Sequence, residues 1–243
     1  MTALLQVDGL TKRFGGVTAM DDCAFSVEEG TITALIGPNG SGKTTAFNII
    51  TGYLKADSGI IQFGGRPVQK PSPAQLYRQG LSRTFQQARI FPELSVQENL
   101  VIAGGYSWRG LFGARLTKAD RLWARKMLEE FRLSHLADLP AADLSYGQRK
   151  LLEFAAVLMS RPKLVLLDEP TAGVNPVMID TMERHIRARH QEGVTFLIVE
   201  HDMQLVMRLC DPVIVLDRGA MIAMGAPAEV QVNPLVLEAY LGD

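Results

Sequence analysis

The chain has 243 residues and a formal net charge of −1; 47% of its residues are hydrophobic and 21% are charged. This composition is typical of a globular protein with an ample core, and the small net charge excludes attraction of the whole chain to nucleic acid or anionic lipid. No stretch approaches the roughly 18 apolar residues of a membrane span, and residues 1–16 lack the apolar core of a signal peptide. Cys23 and Cys210 have no metal-ligand spacing and fit a reduced, cytosolic compartment.

Short apolar runs alternate with helical patterns along the chain. The runs at 31–37, 59–65 and 81–86 are typical of strands. Two later runs, 163–170 and 194–201, are continuously apolar and end in acidic residues, as expected for buried parallel strands. This alternation predicts an α/β fold with a mostly parallel sheet.

The middle of the chain, about 88–160, has helical patterns and is predicted to form a separate lobe. Within it, 118–132 predicts an amphipathic helix. The apolar residues expected on one side of that helix are Leu122, Met127, Leu128 and Phe131. After the last predicted parallel strand, a hairpin is predicted to turn at 217–219, and a helical extension over about 226–243 is expected to end the chain.

The segment Gly37–Thr44, GPNGSGKT, matches the phosphate-loop pattern G-x-x-x-x-G-K-[ST] between a predicted strand and a predicted helix. Its glycines allow backbone N–H groups to surround phosphate oxygens at the positive end of the helix. Lys43 is expected to contact the β- and γ-phosphates, and the Thr44 hydroxyl is expected to bind Mg²⁺. A plain glycine-rich turn is the alternative, but a chance match has a probability of roughly one per cent.

Acidic residues follow two of the predicted buried strands. Asp168 and Glu169 lie at a strand's C-terminal end, where ligands gather in α/β sheets. Next to a phosphate loop, Asp168 fits a Mg²⁺ carboxylate and Glu169 fits the base that polarises attacking water. Glu200 and His201 end a strand of the same sheet. His201 is equally well interpreted as a γ-phosphate contact or as a structural histidine.

The segment 144–148, LSYGQ, has the pattern of a capped helix start with an unexpected glycine. Ser145 and Gln148 have the spacing of a capping box. Gly147 costs about 1 kcal/mol relative to alanine inside a helix, so we infer that something approaches this N-terminus closely. In isolation, a plain cap is the simpler interpretation.

In this order, the motifs resemble those of the nucleotide-binding subunits of ATP-binding cassette (ABC) transporters, over essentially the whole chain. LSYGQ resembles the signature motif that separates this family from other phosphate-loop enzymes. RTFQ at 83–86 resembles the loop that contacts the membrane subunits, LLDEP at 166–170 the acidic strand, and VEHD at 199–202 the segment with the switch histidine. The resemblance implies a phosphate-loop NTPase core plus a helical lobe that carries the signature motif.

The resemblance implies an ATP site formed by an aromatic ring and the phosphate loop. Phe14 falls where the family stacks a ring on adenine. Glu169, His201 and Gln86 are expected to act in catalysis. Gln86 and Asp168 are expected, with Thr44, to bind Mg²⁺. The expected ATP-binding residues of the loop are Gly37, Pro38, Asn39, Gly40, Ser41, Gly42, Lys43, Thr44 and Thr45.

The resemblance also explains the glycine of the signature helix. In the family, two cassettes lie head to tail, and each presents this helix N-terminus to ATP held by the other. Ser145, Tyr146, Gly147 and Gln148 are therefore expected to act on the partner's ATP, and a side chain at position 147 would obstruct the approach. Ser145 is expected to lie more than about 3.5 Å from any phosphate bound at Lys43 of its own chain.

Three segments favour one branch of the family: 144–158, 168–176 and 233–243 resemble uptake systems for branched-chain and other hydrophobic amino acids. Of that group's two ATPase subunits, the one with Tyr-Gly-Gln in its signature is the more similar. Many cassettes have aspartate where this chain has Asn175, so this interface loop offers an amide in place of that carboxylate. The Gly-rich stretch 104–117 is either a loop against the membrane subunits or, the favoured interpretation, packing within the lobe.

The resemblance implies the partners and the location. We expect a second, paralogous ATPase subunit, two integral membrane permease subunits and, indirectly, an extracytoplasmic solute-binding protein, but no nucleic acid. The chain would lie peripherally on the cytoplasmic face of the inner membrane. An importer of another small solute, such as an amide or a carboxylate, is an alternative.

Two further classes of function are disfavoured. Three features of the chain disfavour a soluble ATPase that acts on ribosomes or DNA. The chain has a single cassette, its charge is near neutral, and it lacks long basic or coiled-coil insertions. A non-hydrolysing module does not fit the presence of both Glu169 and His201.

Overall fold

The computed structural model of the protein describes residues 2–84, 90–104 and 118–241. Gln86, which is expected to act in catalysis and in Mg²⁺ binding, lies outside the described residues. So does all of the 104–117 stretch except Gly104.

A six-stranded sheet forms the centre of the fold. In spatial order its strands are β10 (Ala220–Gly225), β9 (Val213–Asp217), β3 (Ile32–Ile36), β8 (Thr195–Val199), β7 (Leu164–Asp168) and β6 (Leu81–Arg83). Every neighbouring pair is parallel except β9 and β10, which form the predicted hairpin. Every residue of β3, β7 and β8 is buried, which explains why their sequences are mostly apolar. The predicted α/β fold with a mostly parallel sheet is confirmed.

A second, antiparallel sheet was not predicted. Its spatial order is β2 (Val17–Glu28), β1 (Ala3–Phe14), β4 (Ser58–Phe63) and β5 (Arg66–Pro67). The long β1–β2 pair contains several register shifts, and each shift interrupts the alternation of buried and exposed residues. This interruption explains why the period-two signal of residues 3–28 is weak.

The described helices cover the sheets and connect their strands. In chain order they are α1 (Lys43–Ile50), α2 (Pro73–Gln79), α3 (Val96–Ala103), α4 (Lys118–Glu130), α5 (Tyr146–Leu158), α6 (Pro176–Gln191), α7 (Met203–Leu209), α8 (Pro227–Gln231) and α9 (Pro234–Leu241). Single 3₁₀ turns, Ser134–Leu136 and Ala141–Asp143, lie between α4 and α5.

Helix α4 confirms the predicted amphipathic helix, with one residue on the wrong face. Met127, Leu128 and Phe131 are buried, but Leu122 is 69% exposed. Ala124 is buried in its place. Residues 124, 128 and 131 follow the spacing i, i+4, i+7 of one helix face, whereas 122 is out of phase with them.

Two hydrophobic cores lie on opposite faces of the central sheet. In β7, Val165 and Leu167 pack into the core that contains the apolar side chains of α3, α4 and α5. Leu164 and Leu166 point the other way, into the core shared by α1 and the antiparallel sheet. The helical segments therefore pack directly on the sheet, while the boundaries of a separate lobe, about 88–160, and of the extension 226–243 stay predictions.

Both cysteines are buried packing residues. Burial raises the pKa of the Cys23 thiol to about 11 and that of Cys210 to about 12. Within the described ranges, no helix has the length and apolar character needed to cross a membrane.

Candidate ATP-binding and hydrolysis site

The phosphate loop leads from β3 into α1 and is pressed against neighbouring backbone. Gly37 has φ +150°, and a Cβ there would lie 2.1 Å from the Leu216 carbonyl oxygen. Gly42 has φ +103° and directly precedes α1; its Cβ would lie 2.6 Å from the Ala19 carbonyl oxygen. These approaches require glycine at both positions. Within the loop, Ser41 is buried, while Pro38 and Thr45 are half-buried and Asn39, Gly40 and Thr44 are exposed.

Lys43 lies at the centre of this loop and is only 7% exposed. Its ammonium group donates hydrogen bonds to the carbonyl oxygens of Gly37 and Pro38, both at 2.8 Å, and to the Ser41 hydroxyl at 3.3 Å. Burial lowers the pKa of Lys43, while the negative charges of Glu169 and Asp168 partly oppose that shift. The loop therefore holds a partly desolvated cation, the kind of group that binds a triphosphate tightly.

Phe14 lies at the end of β1, and the residue is 49% exposed. The Lys12 ammonium group lies 5.5 Å from the ring centroid and forms a 2.8 Å ion pair with Asp57. The ring therefore keeps exposed surface on which a flat base can stack. The β1–β2 pair reaches the phosphate loop through Ala19 and Met20, which would contact a Cβ at Gly42.

Asp168 is held by a buried ion pair that the sequence did not indicate. Its Oδ2 accepts a 2.8 Å hydrogen bond from Arg83 at the end of β6, and both side chains are almost fully buried. Arg83 also donates to Asn48 and Thr51 of the α1 region, at 2.7 and 3.0 Å. The pairing of β6 with β7 brings Arg83 to Asp168, and no local sequence pattern indicated that pairing. Arg83 thus links the acidic strand to the helix that follows the phosphate loop.

The second carboxylate oxygen of Asp168, Oδ1, is buried with no hydrogen-bond partner among the described residues. A buried acceptor without a donor is costly unless a cation or an ordered water satisfies it. Mg²⁺ is usually held by one or two carboxylates together with substrate phosphates. The structure, over its described residues, has no cluster of three or more metal-binding side chains, and Mg²⁺ does not need one. Asp168 therefore fits this ion.

Glu169 and His201 meet at the C-terminal ends of adjacent parallel strands. Asp168 of β7 is in register with Val199 of β8, which brings the two following loops together. The His201 Nε2 atom lies 2.8 Å from the Glu169 Oε1 atom. Glu169 has φ +48°, a costly conformation for a residue other than glycine, and its N–H donates to the Val199 carbonyl oxygen at 2.9 Å. Such strain is common at functional sites.

A second link between these loops was also missed. Glu200 is 4% exposed and accepts hydrogen bonds from Thr171 and from the backbone of His201. The sequence showed only that Glu200 ends a strand, which gave no sign that its side chain points inwards.

The signature segment forms the expected cap and contacts the loop after β7. The N–H of Gln148 donates to the Ser145 hydroxyl at 3.4 Å, and the N–H of Ser145 donates to the Gln148 side chain at 2.8 Å. The Tyr146 hydroxyl donates to the Ala172 carbonyl oxygen at 3.0 Å. A Cβ at Gly147 would lie 2.9 Å from the terminal methyl of Met178 in α6. This methyl is the flexible end of the Met178 side chain and can move aside, so packing within the chain does not by itself require glycine at position 147.

Asn175 acts locally, as the N-cap of α6. Its side-chain oxygen accepts a 3.0 Å hydrogen bond from the N–H of Met178. Asparagine and aspartate are equally good caps, so an amide at this position is explained without an interface role.

The C-terminal helix α9 also reaches the phosphate loop. Burial raises the pKa of the Tyr240 hydroxyl, and the nearby backbone of Gly37 partly opposes that shift.

Comparisons with known proteins agree with this geometry. Residues 20–172 match the family model described as ABC transporter, and residues 220–243 match the model described as branched-chain amino acid ATP-binding cassette transporter. The high-affinity branched-chain amino acid transport ATP-binding protein BraF of Pseudomonas aeruginosa is 40% identical, covering 99% of this chain and 98% of that protein. The probable branched-chain amino acid transport ATP-binding protein LivG of Methanocaldococcus jannaschii is 39% identical, again covering 99% of this chain and 98% of that protein.

A solved structure, described as the ADP conformation of an ATP-binding cassette of an ABC transporter, has 38% sequence identity and a TM-score of 0.88. The alignment covers all of both chains. The matched model spans well over half of the chain, and the similarity to whole relatives leaves no large segment unmatched. The chain is therefore an ATP-binding ATPase subunit of the ABC transporter family.

Proposed function

We propose that this chain is the ATPase subunit of an importer for branched-chain or other hydrophobic amino acids. The single observation that carries the ATPase chemistry is the contact of Glu169 with His201, at 2.8 Å, on the strand edge next to the phosphate loop. The solute class is supported by the C-terminal match at 220–243 and by the names of relatives that match the whole chain. The importer of another small solute is the second candidate.

In this proposal, the phosphate loop and Phe14 bind ATP, and residues of two strand ends act on its γ-phosphate. Lys43 contacts the β- and γ-phosphates, which replace the loop carbonyl oxygens as its partners. Glu169 takes a proton from the attacking water. His201, which contacts Glu169, orients the water or donates to the γ-phosphate.

We include Mg²⁺ as the metal ion, which would neutralise charge on the phosphates. Asp168, with its unpartnered Oδ1, and the exposed Thr44 hydroxyl at the start of α1 are the groups that would hold it. Gln86 is the third expected ligand. The Arg83 ion pair fixes the Asp168 carboxylate so that Oδ1 stays oriented.

A partner cassette completes the site in this proposal. Among the described residues, the signature helix contacts the loop after β7 and helix α6, whereas the phosphate loop packs on β2 and on the β9–β10 hairpin. Ser145 and its helix N-terminus are then available for ATP of a second, paralogous ATPase subunit. The pair would lie on the cytoplasmic face of the membrane, bound to two permease subunits that receive solute from an extracytoplasmic binding protein.

Ser145→Arg separates the two ATP sites of such a pair. We expect hydrolysis at the partner's phosphate loop to fall, because the larger side chain blocks closure, while the ATP affinity of this chain alone stays near wild type. Nucleotide titration of the subunit and ATPase assays of the complex measure the two quantities. Ser134→Arg, on an exposed 3₁₀ turn, is the control. Loss of this chain's own ATP affinity in Ser145→Arg would contradict the arrangement.

Phe91 is our candidate contact with the membrane subunits. Its backbone is fixed by Asn99 of α3, which accepts from the Phe91 N–H at 2.7 Å and donates to its carbonyl oxygen at 3.0 Å. The residue as a whole is 53% exposed. Phe91→Asp should therefore weaken assembly or coupled transport and leave nucleotide binding intact. Pull-down with the permease subunits and nucleotide titration test this, with Leu122→Asp as the exposed-leucine control. Normal assembly and transport would remove Phe91 from the interface.

The proposed transport function is tested in membrane vesicles that contain the whole complex, with ATP supplied on the side of the membrane where the ATPase subunits lie. Uptake of labelled leucine, isoleucine and valine is compared with uptake of an amide and of a dicarboxylate. We expect ATP-dependent uptake of the branched-chain solutes. Uptake of only the other solutes would overturn the solute class, and ATPase activity that responds to RNA or DNA but not to permease subunits would overturn the transport function.

A further inference from the structure

Glu200 is a buried carboxylate at the centre of the two loops that carry the proposed catalytic residues. It follows β8 directly and is 4% exposed. No ion pair joins it to a basic side chain in the described part of the chain. Burying a carboxylate in such surroundings costs free energy unless hydrogen-bond donors satisfy its oxygens. The groups that donate to Glu200 therefore show which parts of the structure it holds together.

The three donors to Glu200 come from both loops. Its Oε1 atom accepts from the Thr171 N–H at 3.0 Å and from the Thr171 hydroxyl at 2.6 Å. Thr171 lies two residues after Glu169. The Oε2 atom accepts from the N–H of His201 at 3.1 Å. One side chain thus joins the backbone next to the proposed base to the backbone of the histidine that contacts it.

We infer that Glu200 is a positioning residue for ATP hydrolysis, which holds the loops of Glu169 and His201 in the geometry that lets these two side chains act together. The inference rests on the proposed roles of Glu169 and His201. Glu169 needs such support because its φ of +48° is strained and its loop would relax without external contacts. Charge-assisted hydrogen bonds supply that support better than neutral ones.

The donors also explain why a carboxylate suits this position better than an amide. Both oxygens of Glu200 accept, one from each loop. A glutamine can keep the two bonds from Thr171 at its oxygen, but its NH₂ group would then face the N–H of His201, donor against donor. Glu200→Gln therefore removes the link to His201 while keeping the size of the side chain.

The test is a double-mutant cycle in the full chain, assembled with its membrane partners. Glu200→Gln should lower kcat about 10- to 100-fold, the effect of displacing a reacting group by a fraction of an ångström, while ATP binding stays within about twofold. In a His201→Ala background the same change should lower kcat no further, because its effect acts through His201. Glu183→Gln is the control, since Glu183 is a partly buried carboxylate of α6 that contacts Arg187 and Arg208.

The outcomes separate this inference from the proposed function. Independent, multiplying effects of Glu200→Gln and His201→Ala, or an equal loss of kcat in Glu183→Gln, would show a general structural role and overturn the inference alone. An unchanged kcat in Glu200→Gln with a normal melting temperature would also overturn it. If His201→Ala itself left kcat unchanged, that result would contradict the proposed role of His201 in hydrolysis, on which the inference about Glu200 rests.

Discussion

Glu169→Gln is expected to slow ATP hydrolysis by roughly 10²- to 10⁴-fold, the usual contribution of a general base. Glutamine has the same shape and the same backbone preferences as glutamate, so the strained turn at 169 and its N–H bond to Val199 stay intact. The lost property is the ability to accept a proton. Steady-state phosphate release and equilibrium ATP binding, measured on the same preparation, give the rate and the affinity separately.

Affinity for ATP should be retained in Glu169→Gln, and the ATP-bound pair of cassettes should accumulate because the ATP between them is not hydrolysed. Size-exclusion chromatography with ATP and Mg²⁺ measures that accumulation. Glu192→Gln, which changes a largely exposed carboxylate, should keep the wild-type rate. A wild-type rate in Glu169→Gln would show that another group is the base.

Lys43→Ala should weaken ATP binding by about 100-fold. The ammonium group is already desolvated within the loop, and charge-assisted hydrogen bonds contribute about 1.5–3 kcal/mol each, where 1.4 kcal/mol is tenfold in affinity. Titration with a fluorescent ATP analogue measures the loss.

Two controls accompany Lys43→Ala, because the lysine also donates hydrogen bonds to the carbonyl oxygens of Gly37 and Pro38. Thermal melting shows whether the loop change unfolds the protein. Lys70→Ala, at an exposed position, tests for a general effect of removing a positive charge. Unchanged affinity in a folded Lys43→Ala variant would contradict the assignment of the phosphate loop.

The parallel sheet was predictable because burial on both faces leaves a local signal. Apart from Asp168 and Thr195 at their ends, the residues of β7 and β8 are apolar, and acidic residues mark where both strands end. Parallel pairing then places Glu169 beside His201, although these residues are distant in sequence. The motif pattern of the phosphate loop likewise reflects local backbone geometry, as the tight environment of Gly37 shows.

Other features depend on contacts between distant segments and left no local pattern. The register shifts of β1 and β2 concealed a long hairpin. Arg83 and Glu200 are ordinary charged residues in sequence, and only the folded chain shows that each is buried against a partner from a distant segment. The approach of Met178 to Gly147 likewise arises from packing of α6 on the signature helix.

The most direct test of the whole site is a structure of the Glu169→Gln complex with ATP and Mg²⁺, in which distances to the γ-phosphate are measured. We predict that Lys43 and His201 of one chain lie within hydrogen-bond reach of that phosphate. The Ser145 hydroxyl within such reach, about 3.5 Å or less, should belong to the partner subunit. A γ-phosphate bound by Lys43 and contacted by Ser145 of the same chain would contradict the account.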